Sequence, residues 1–426
     1  MSKFQIILLS VFGVFIVIAV AVFSLYRGAS SKSITVTIWG DISLEDFSSL
    51  LQKNSVSSPD QNFTINYVPK PAASIEGEFT EALARGAGPD LIILTQDKIW
   101  KEKPKLMVIP YSSISERDFK VTFIEEAELF LSPGGIYALP FSIDPMVLYY
   151  NRNKLSAAGH ARPIAYWDEI YAAATDLSKR DNAGNLVSSV ISLGEAVNIP
   201  NAKDIFSLLL FQAGTPITAF VGSELHSQIS ARSNSASPGE SALDFYTQFS
   251  NPGKAYYSWN RSLIDAQTYF TSGDSAYYLG FASEFRALKN KNPTLNFSVS
   301  AVPQSRVSDR TITFGRLRGI AISRGSTNPG AALTVATRLI SKEAALTLSE
   351  ILSLPPTRRD LLANRPTSAT LSVLYDAALQ SKGWLDPDTK ATKAIFSEAI
   401  ESVTSGRART LEAIDNASRE VDALIK

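Results

Sequence analysis

The chain has 426 residues, 41 basic and 41 acidic side chains, two histidines and no cysteine. That length exceeds one small core and predicts more than one domain. The missing cysteines exclude disulfides, thiolate metal sites, cysteine nucleophiles and lipid attachment to cysteine; two histidines leave no histidine-rich metal site, and balanced charge offers no broad field for nucleic acid.

Phe4 to Tyr26 is a 23-residue run without charge, flanked by Lys3 and Arg27. A helix of roughly 20 residues spans the hydrocarbon core of a bilayer. The run is long for the apolar core of a signal peptide, and Arg27 stands where a small-residue cleavage site would be expected. It therefore predicts a retained anchor, with residues 1–32 as membrane helix and short linker, and the large remainder outside the cytoplasm. Charge bias gives little orientation, because Lys3 is balanced by Arg27 and Lys32.

Ser33 to Trp39 alternates as SITVTIW and predicts a strand ended by Gly40 and Asp41. Leu44 to Leu51 has helical spacing, Asn62 to Val68 is a second strand, and Glu76 to Ala84 a second helix. Leu91 to Leu94 reads as a buried strand after the turn at Gly86 to Asp90. This β-α-β-α-β order predicts a parallel sheet faced by helices. Ile136 to Asn151 holds two strand-like pieces around Pro140 and Pro145, so it fits a crossing between domains. Trp167 to Ser178 is helical, with Trp167 as a packing residue. Lys179 to Asn185 is a polar turn; Asp181 and Asn185 lack the full spacing of a calcium loop. Asp204 to Ala213 is an apolar helix, and Ser223 to Ser241 reads as a surface loop around SNSASPGES. Ser262 to Ser272 is a helix, followed by strands at Ser275 to Gly280, Leu295 to Val302 and Phe314 to Ser323. A helix follows at Pro329 to Ser341, and the last 60 or so residues are almost wholly helical.

The order of these motifs resembles family 1 extracellular solute-binding proteins of ABC importers, the group that includes maltose-binding protein. The resemblance is carried by TVTIWGD, GPDLIIL, YALPFSIDPMVLYYNRNKLSAAG, PIAYWDEI, NAKDIFSLLLFQAG, YFTSGDSAYYLG, FGRLRGIAISRGSTNPGAALTVATRLIS and SGRARTLEAI. It covers almost the whole region beyond the apolar run. It implies an α/β, two-lobe periplasmic-binding-protein type II fold preceded by one transmembrane helix. Lobe 1 is expected at 33–142, completed by 314–365, and lobe 2 at 143–313, completed by 366–426.

The same resemblance implies a ligand in the cleft between the lobes, gripped by a hinge motion. Sugars need paired polar groups and flat rings, and candidates lie after the predicted strands. Trp39 and Asp41 match the family's first ligand loop; they also fit a core position and a helix cap. Gln96 and Asp97 stand where the family has polar contacts, though Asp97 also fits a solvated helix start. Asp144 lies in the crossing, where a hinge turn with Pro145 is an equal reading. Trp259, in a polar aromatic loop, is a candidate stacking platform. Phe281 and Ser283 match another ligand loop. Arg316 sits near the second crossing, beside Arg318, and suits a ligand or a salt bridge. Trp384 is a candidate lid ring or a packing residue.

These readings imply a monomeric binding subunit for a small neutral solute, a sugar or oligosaccharide, with few charged clusters in its cleft. ABC permease subunits are the implied partners, the N-terminal helix the implied membrane contact, and no cofactor, metal or nucleic acid is expected. No nucleophile elbow, phosphate loop or paired-histidine helix is present, so the chain is not expected to be an enzyme. A glycan-cleaving hydrolase built on Asp41, Asp97 and Asp144, and a ligand-sensing subunit for a membrane partner, are the alternatives.

Overall fold

A computed structural model describes residues 2–27, 34–54, 63–232, 237–306, 308 and 310–426. The linker at 28–32, the first residues of the first two predicted strands, 33 and 62, and the centre of the low-complexity run, 233–236, lie outside the described residues. Among the described residues one helix, Lys3–Arg27, is long and apolar enough to cross a membrane, and its Lys3–Val22 portion is not buried against any of the others.

The first lobe starts as its sequence predicts. Strand Ile34–Gly40 runs parallel to Phe63–Pro69 on one side and to Leu91–Thr95 on the other. Helix Leu44–Lys53 begins where Ser43 accepts a hydrogen bond from Asp46 N at 3.0 Å, and Glu45 and Asp46 sit in its first turn. The helix buries Phe47 and Leu50, and Phe47 stacks on Tyr67 with ring centres 3.8 Å apart. Burial of each such side chain contributes about 1.5–3 kcal/mol.

Two long strands carry the chain between lobes. Leu139–Asn151 and Thr313–Ser323 run antiparallel, with Gly315 opposite Pro145 and Arg316 opposite Asp144. The proline-containing stretch is thus one continuous strand rather than two pieces. Residues 139–145 pair with the second crossing strand, whereas 146–151 pair with Ser275–Phe281 and Phe297–Ser300. Both prolines therefore fall on the half with a free edge, where a missing N–H costs no ladder bond.

Hydrophobic burial divides at the same place. Ile143 and Leu317 belong to a core with Ile38, Phe79 and Ile92, while Met146 and Phe314 belong to another with Phe206, Trp259 and Tyr277. Each crossing strand leaves one core and enters the other within three residues. The result is two packed bodies joined by a short paired segment, with an apolar centre in each.

One predicted loop contains regular structure. Within Ser223 to Ser241, Glu224–Ser227 pairs with Thr218–Val221, and a helix begins at Pro238. A four-residue arm is too short for its alternation to stand out, and Pro238 lies in a first helical turn, where its missing N–H has no intrahelical partner to lose.

Candidate functional site

The cleft cavity holds about 330 Å³ and is walled by both lobes. From lobe 1 come Asp41, just after the first strand, and Thr95, Asp97 and Lys98, where Leu91–Thr95 gives way to helix Gln96–Glu102. From lobe 2 come Lys203 and Asp204, in the first turn of helix Ala202–Gln212, and Thr389 and Lys393, in the opening turns of Thr389–Thr404. Arg316 and Arg318 project from the second crossing strand between them. The site thus lies at strand ends and helix starts, the usual ligand position in α/β sheets.

Charge in the cleft is abundant, and most of it is paired. Arg318 holds Asp41 through Nε–Oδ1 and Nη2–Oδ2 contacts, each 2.9 Å. Arg316 Nη2 donates to Asp204 Oδ2 at 2.5 Å, and its guanidinium lies 3.6 Å above the Phe281 ring. Lys203 forms an ion pair with Asp386, which has no exposed surface. Burial pushes the Asp386 carboxyl up to about 6, against the opposing pull of Lys203. The expectation of few charged clusters is therefore corrected. Three carboxylates (Asp41, Asp97, Asp204) and five cations (Lys98, Lys203, Lys393, Arg316, Arg318) line the cavity. Their separation along the chain hid the convergence.

The lobes also touch across the mouth. Thr389 Oγ1 donates to Asp97 Oδ2 at 3.2 Å, and Lys101 meets Asp388 at 2.7 Å. Asp388 also caps its helix, accepting from Lys390 N and Ala391 N. Trp100 packs edge-on against Phe220 of the second lobe, with centres 5.8 Å apart.

Of the residues singled out from sequence, Asp41, Asp97 and Arg316 line the cavity. Asp144 stands behind it: buried, it accepts from Ser283 N at 2.9 Å, and burial raises its carboxyl above the usual range, with Arg318 and Arg316 opposing. Ser283 itself is exposed at the start of helix Glu284–Lys291. Phe281 is buried beneath Arg316. Trp39 is half-buried under the Lys70 ammonium, 4.2 Å from its ring.

Three candidates do other work. Gln96 is buried; its Nε2 donates to Gly315 O at 3.1 Å and its Oε1 accepts from Leu317 N at 2.8 Å, so it splints the crossing strand. Trp259 is fully buried, donates from Nε1 to Asn198 Oδ1 at 2.9 Å, and meets Tyr269 edge-on. Trp384 is buried and stacks on Phe396. In this conformation neither tryptophan offers a face to the cleft, and no aromatic side chain lines the cavity among the described residues. Sequence reasoning passed over Lys203, Asp204, Thr389 and Lys393. The only local signal was their place in the opening turns of two helices.

Taken together, a two-core α/β chain with a polar cleft at its paired crossing strands defines a cleft-binding protein. The model for "Bacterial extracellular solute-binding protein" matches residues 58–372, and the chain belongs to that family. A binding protein of Brucella abortus (strain 2308) is 22% identical over 385 residues, covering 88% of this chain and 89% of the relative. Solved structures give the same fold. A cyclo/maltodextrin-binding protein complexed with maltotetraose superposes with a TM-score of 0.75 at 16% identity, over 92% of this chain and 97% of that one. An ABC transporter solute-binding protein from Thermotoga lettingae, bound with α-D-tagatose, gives 0.68 at 18% identity, over 92% and 100%.

Proposed function

We propose that the chain is the extracytoplasmic substrate-binding subunit of an ABC importer, and that it takes a neutral sugar or short oligosaccharide by closing its lobes. The carrying observation is the cleft at the paired crossing strands, lined by charged groups most of which are held in ion pairs. Asp41 with Arg318, Asp204 with Arg316 and Lys203 with Asp386 offer many donors and acceptors with little net field. Such a wall suits hydroxyls better than a free ion. The cavity volume of about 330 Å³ lies at the low end of ligand pockets, which favours a short ligand. The fold relatives carrying maltotetraose and tagatose support the sugar class.

The separation of the two cores supports lobes near 33–142 with 314–365 and 143–313 with 366–426, with the changeovers shifted to between Ile143 and Met146 and between Phe314 and Leu317, Leu354 packing in the second core and Ala378 in the first. Contacts made only when the cleft is shut, among them Thr389 to Asp97, would supply the closing energy. The apolar N-terminal helix supports a retained tether, which keeps the subunit near its permease and raises effective concentration. Binding without chemistry is favoured because the Asp41 and Asp204 carboxylates are tied to arginines and Asp97 to threonine hydroxyls.

Thermal-shift titration with maltotetraose, mannobiose and tagatose tests the ligand class. A sugar at 100 times its Kd adds about 2.7 kcal/mol. Failure of all neutral saccharides, with stabilisation by a charged solute, would overturn it. Intact-mass measurement of the membrane-bound protein tests the tether, which fails if the mature chain begins beyond Arg27.

A further inference from the structure

Behind the second lobe's wall of the cleft lies Glu284, the first residue of helix Glu284–Lys291. An acid in a first turn ordinarily acts on its own helix. This carboxylate instead turns back and accepts four hydrogen bonds from other elements. Its Oε1 accepts from Asn201 Nδ2 at 3.0 Å and from Phe281 N at 2.8 Å. Its Oε2 accepts from the Tyr278 hydroxyl at 2.6 Å and from Gln267 Nε2 at 2.9 Å. The donors come from the start of helix Ala202–Gln212, from strand Ser275–Phe281 and from helix Ala266–Thr271. Neither Glu284 nor any of its donors lines the cleft cavity. Glu126, in the turn Glu125–Phe130, is the contrast: it is 3% exposed, and its carboxylate has no hydrogen-bond partner among the described residues.

Two of the four donors belong to residues that touch Arg316. The Phe281 ring lies 3.6 Å beneath the guanidinium, and the backbone N–H of Phe281 is the one Glu284 holds. Asn201 stands just before helix Ala202–Gln212, where an asparagine side chain usually accepts from its own helix. Its side chain makes no such bond. Its Oδ1 accepts from Arg316 Nη2 instead, at 3.5 Å. Chemistry fixes which end of that amide faces which neighbour. A carboxylate only accepts, so Nδ2 must face Glu284, and Oδ1 is left toward the guanidinium. The reversed amide would set oxygen against carboxylate and N–H against cation. The same helix start carries Asp204, the ion-pair partner of Arg316. Glu284 therefore braces three of the groups around Arg316, and Arg316 lines the cavity.

We propose that Glu284 is a positioning residue of the ligand site: it fixes the Asn201 amide and the Phe281 backbone, and these hold the Arg316 guanidinium toward the ligand. The inference rests on the cleft reading of the proposed function. The rival role is a weld between one strand and two helices, which would add stability and leave Arg316 unaffected. Glu284→Gln separates charge from geometry. The Phe281 N–H cannot turn away, so the glutamine oxygen stays beside it and continues to accept from Asn201. The Tyr278 hydroxyl and the Gln267 amide can each turn to accept from the new NH₂ group. Glu284→Ala removes all four bonds.

The test uses the full chain in nanodiscs and has a readout that needs no sugar. Phenylglyoxal modification of Arg316 is followed by peptide mass spectrometry, with Arg318 as the internal control. Glu284→Ala is expected to speed modification of Arg316 about fivefold or more and to leave Arg318 unchanged, while Glu284→Gln restores the slow rate to within about twofold. Asn201→Ala breaks one link of the same chain; it is expected to act like Glu284→Ala and serves if that variant does not fold. Affinity is then measured for whichever of maltotetraose, mannobiose and tagatose stabilises the unsubstituted protein. Glu284→Ala is expected to weaken it about tenfold, but to add nothing to the loss caused by Arg316→Met, although its effect on melting temperature persists in the double variant. Unchanged Arg316 reactivity, an equal rise at Arg318, no rescue by Glu284→Gln, or affinity losses that add would overturn the inference. If no sugar binds while Arg316 reactivity responds as expected, the ligand class alone is sunk and the positioning role stands.

Discussion

Arg318 grips Asp41 with two parallel contacts of 2.9 Å, joining the second crossing strand to the turn after the first strand. The two residues are far apart in sequence, and each is mostly shielded: the side chains are 22% and 16% exposed. A bidentate, partly buried pair of this kind fixes geometry as well as adding energy. Because both residues line the cleft, the same pair also sets the position of donors and acceptors toward a ligand.

Asp41→Asn is therefore expected to lower stability by about 1–3 kcal/mol, since a shielded guanidinium loses its charged partner. Binding of whichever sugar stabilises the unsubstituted protein is expected to weaken tenfold or more, equivalent to about 1.4 kcal/mol. Urea unfolding and calorimetric titration measure the two effects separately. An unchanged affinity would remove Asp41 from the ligand site and leave it as a strut.

Trp259 gives the opposite pattern. It lies wholly within the second core against Tyr269, with its indole N–H satisfied by Asn198. Trp259→Ala is expected to cost about 3–5 kcal/mol of stability while leaving the affinity of the folded fraction unchanged. A loss of affinity at constant melting temperature would restore the stacking role that its polar surroundings in sequence suggested.

How far the sequence could be read follows from what each feature depends on. The strands Ile34–Gly40 and Leu91–Thr95 announce themselves by alternation and by an unbroken apolar run, both local properties. The lobe-crossing role of Leu139–Asn151 showed in its prolines, because these are tolerated only where the strand has a free edge. Depth was not legible. Trp259 and Trp384 sit among polar neighbours in sequence, as surface rings would, yet both are buried in the second core against rings of the helices that follow them, Tyr269 and Phe396. The second wall of the cleft was missed for the same reason. Lys203 and Thr389 meet only because two helix starts, 186 positions apart, converge. Glu126 carried no signal at all, since an acidic triplet in a turn ordinarily reads as solvated.

Glu126 also predicts a stability trend. Its carboxyl is raised from an ordinary 4.5 to about 8 by burial. Between those values the folded state keeps a proton that the unfolded state has released. Stability from this group is therefore complete below about 4.5 and falls as pH rises toward 8, by up to about 1.4 kcal/mol per unit. Glu126→Gln keeps the shape and removes the titration. The variant is expected to gain melting temperature over the unsubstituted protein progressively across that window, with the difference levelling off above it. A constant offset between the two curves would mean that Glu126 does not titrate there.

The contacts across the cleft mouth allow a sharper separation of electrostatics from hydrogen bonding. Lys101 and Asp388 are 43% and 27% exposed, so their pair is screened and worth at most about 1 kcal/mol. Thr389 donates to Asp97 inside the cavity, where water has less access. If both contacts form on closure, each adds to ligand affinity only through the closed state, because a ligand gains whatever stabilises the conformation it selects. Lys101→Met is then expected to weaken binding by less than about fivefold, with the difference fading as salt is raised. Thr389→Val removes the hydroxyl with little change of volume, and its effect is expected to persist in high salt. Titrations at low and high ionic strength distinguish the two. Affinities unchanged in both variants would mean that these contacts exist equally in the open and closed forms, and the closing energy would then have to come from the ligand and the hinge alone.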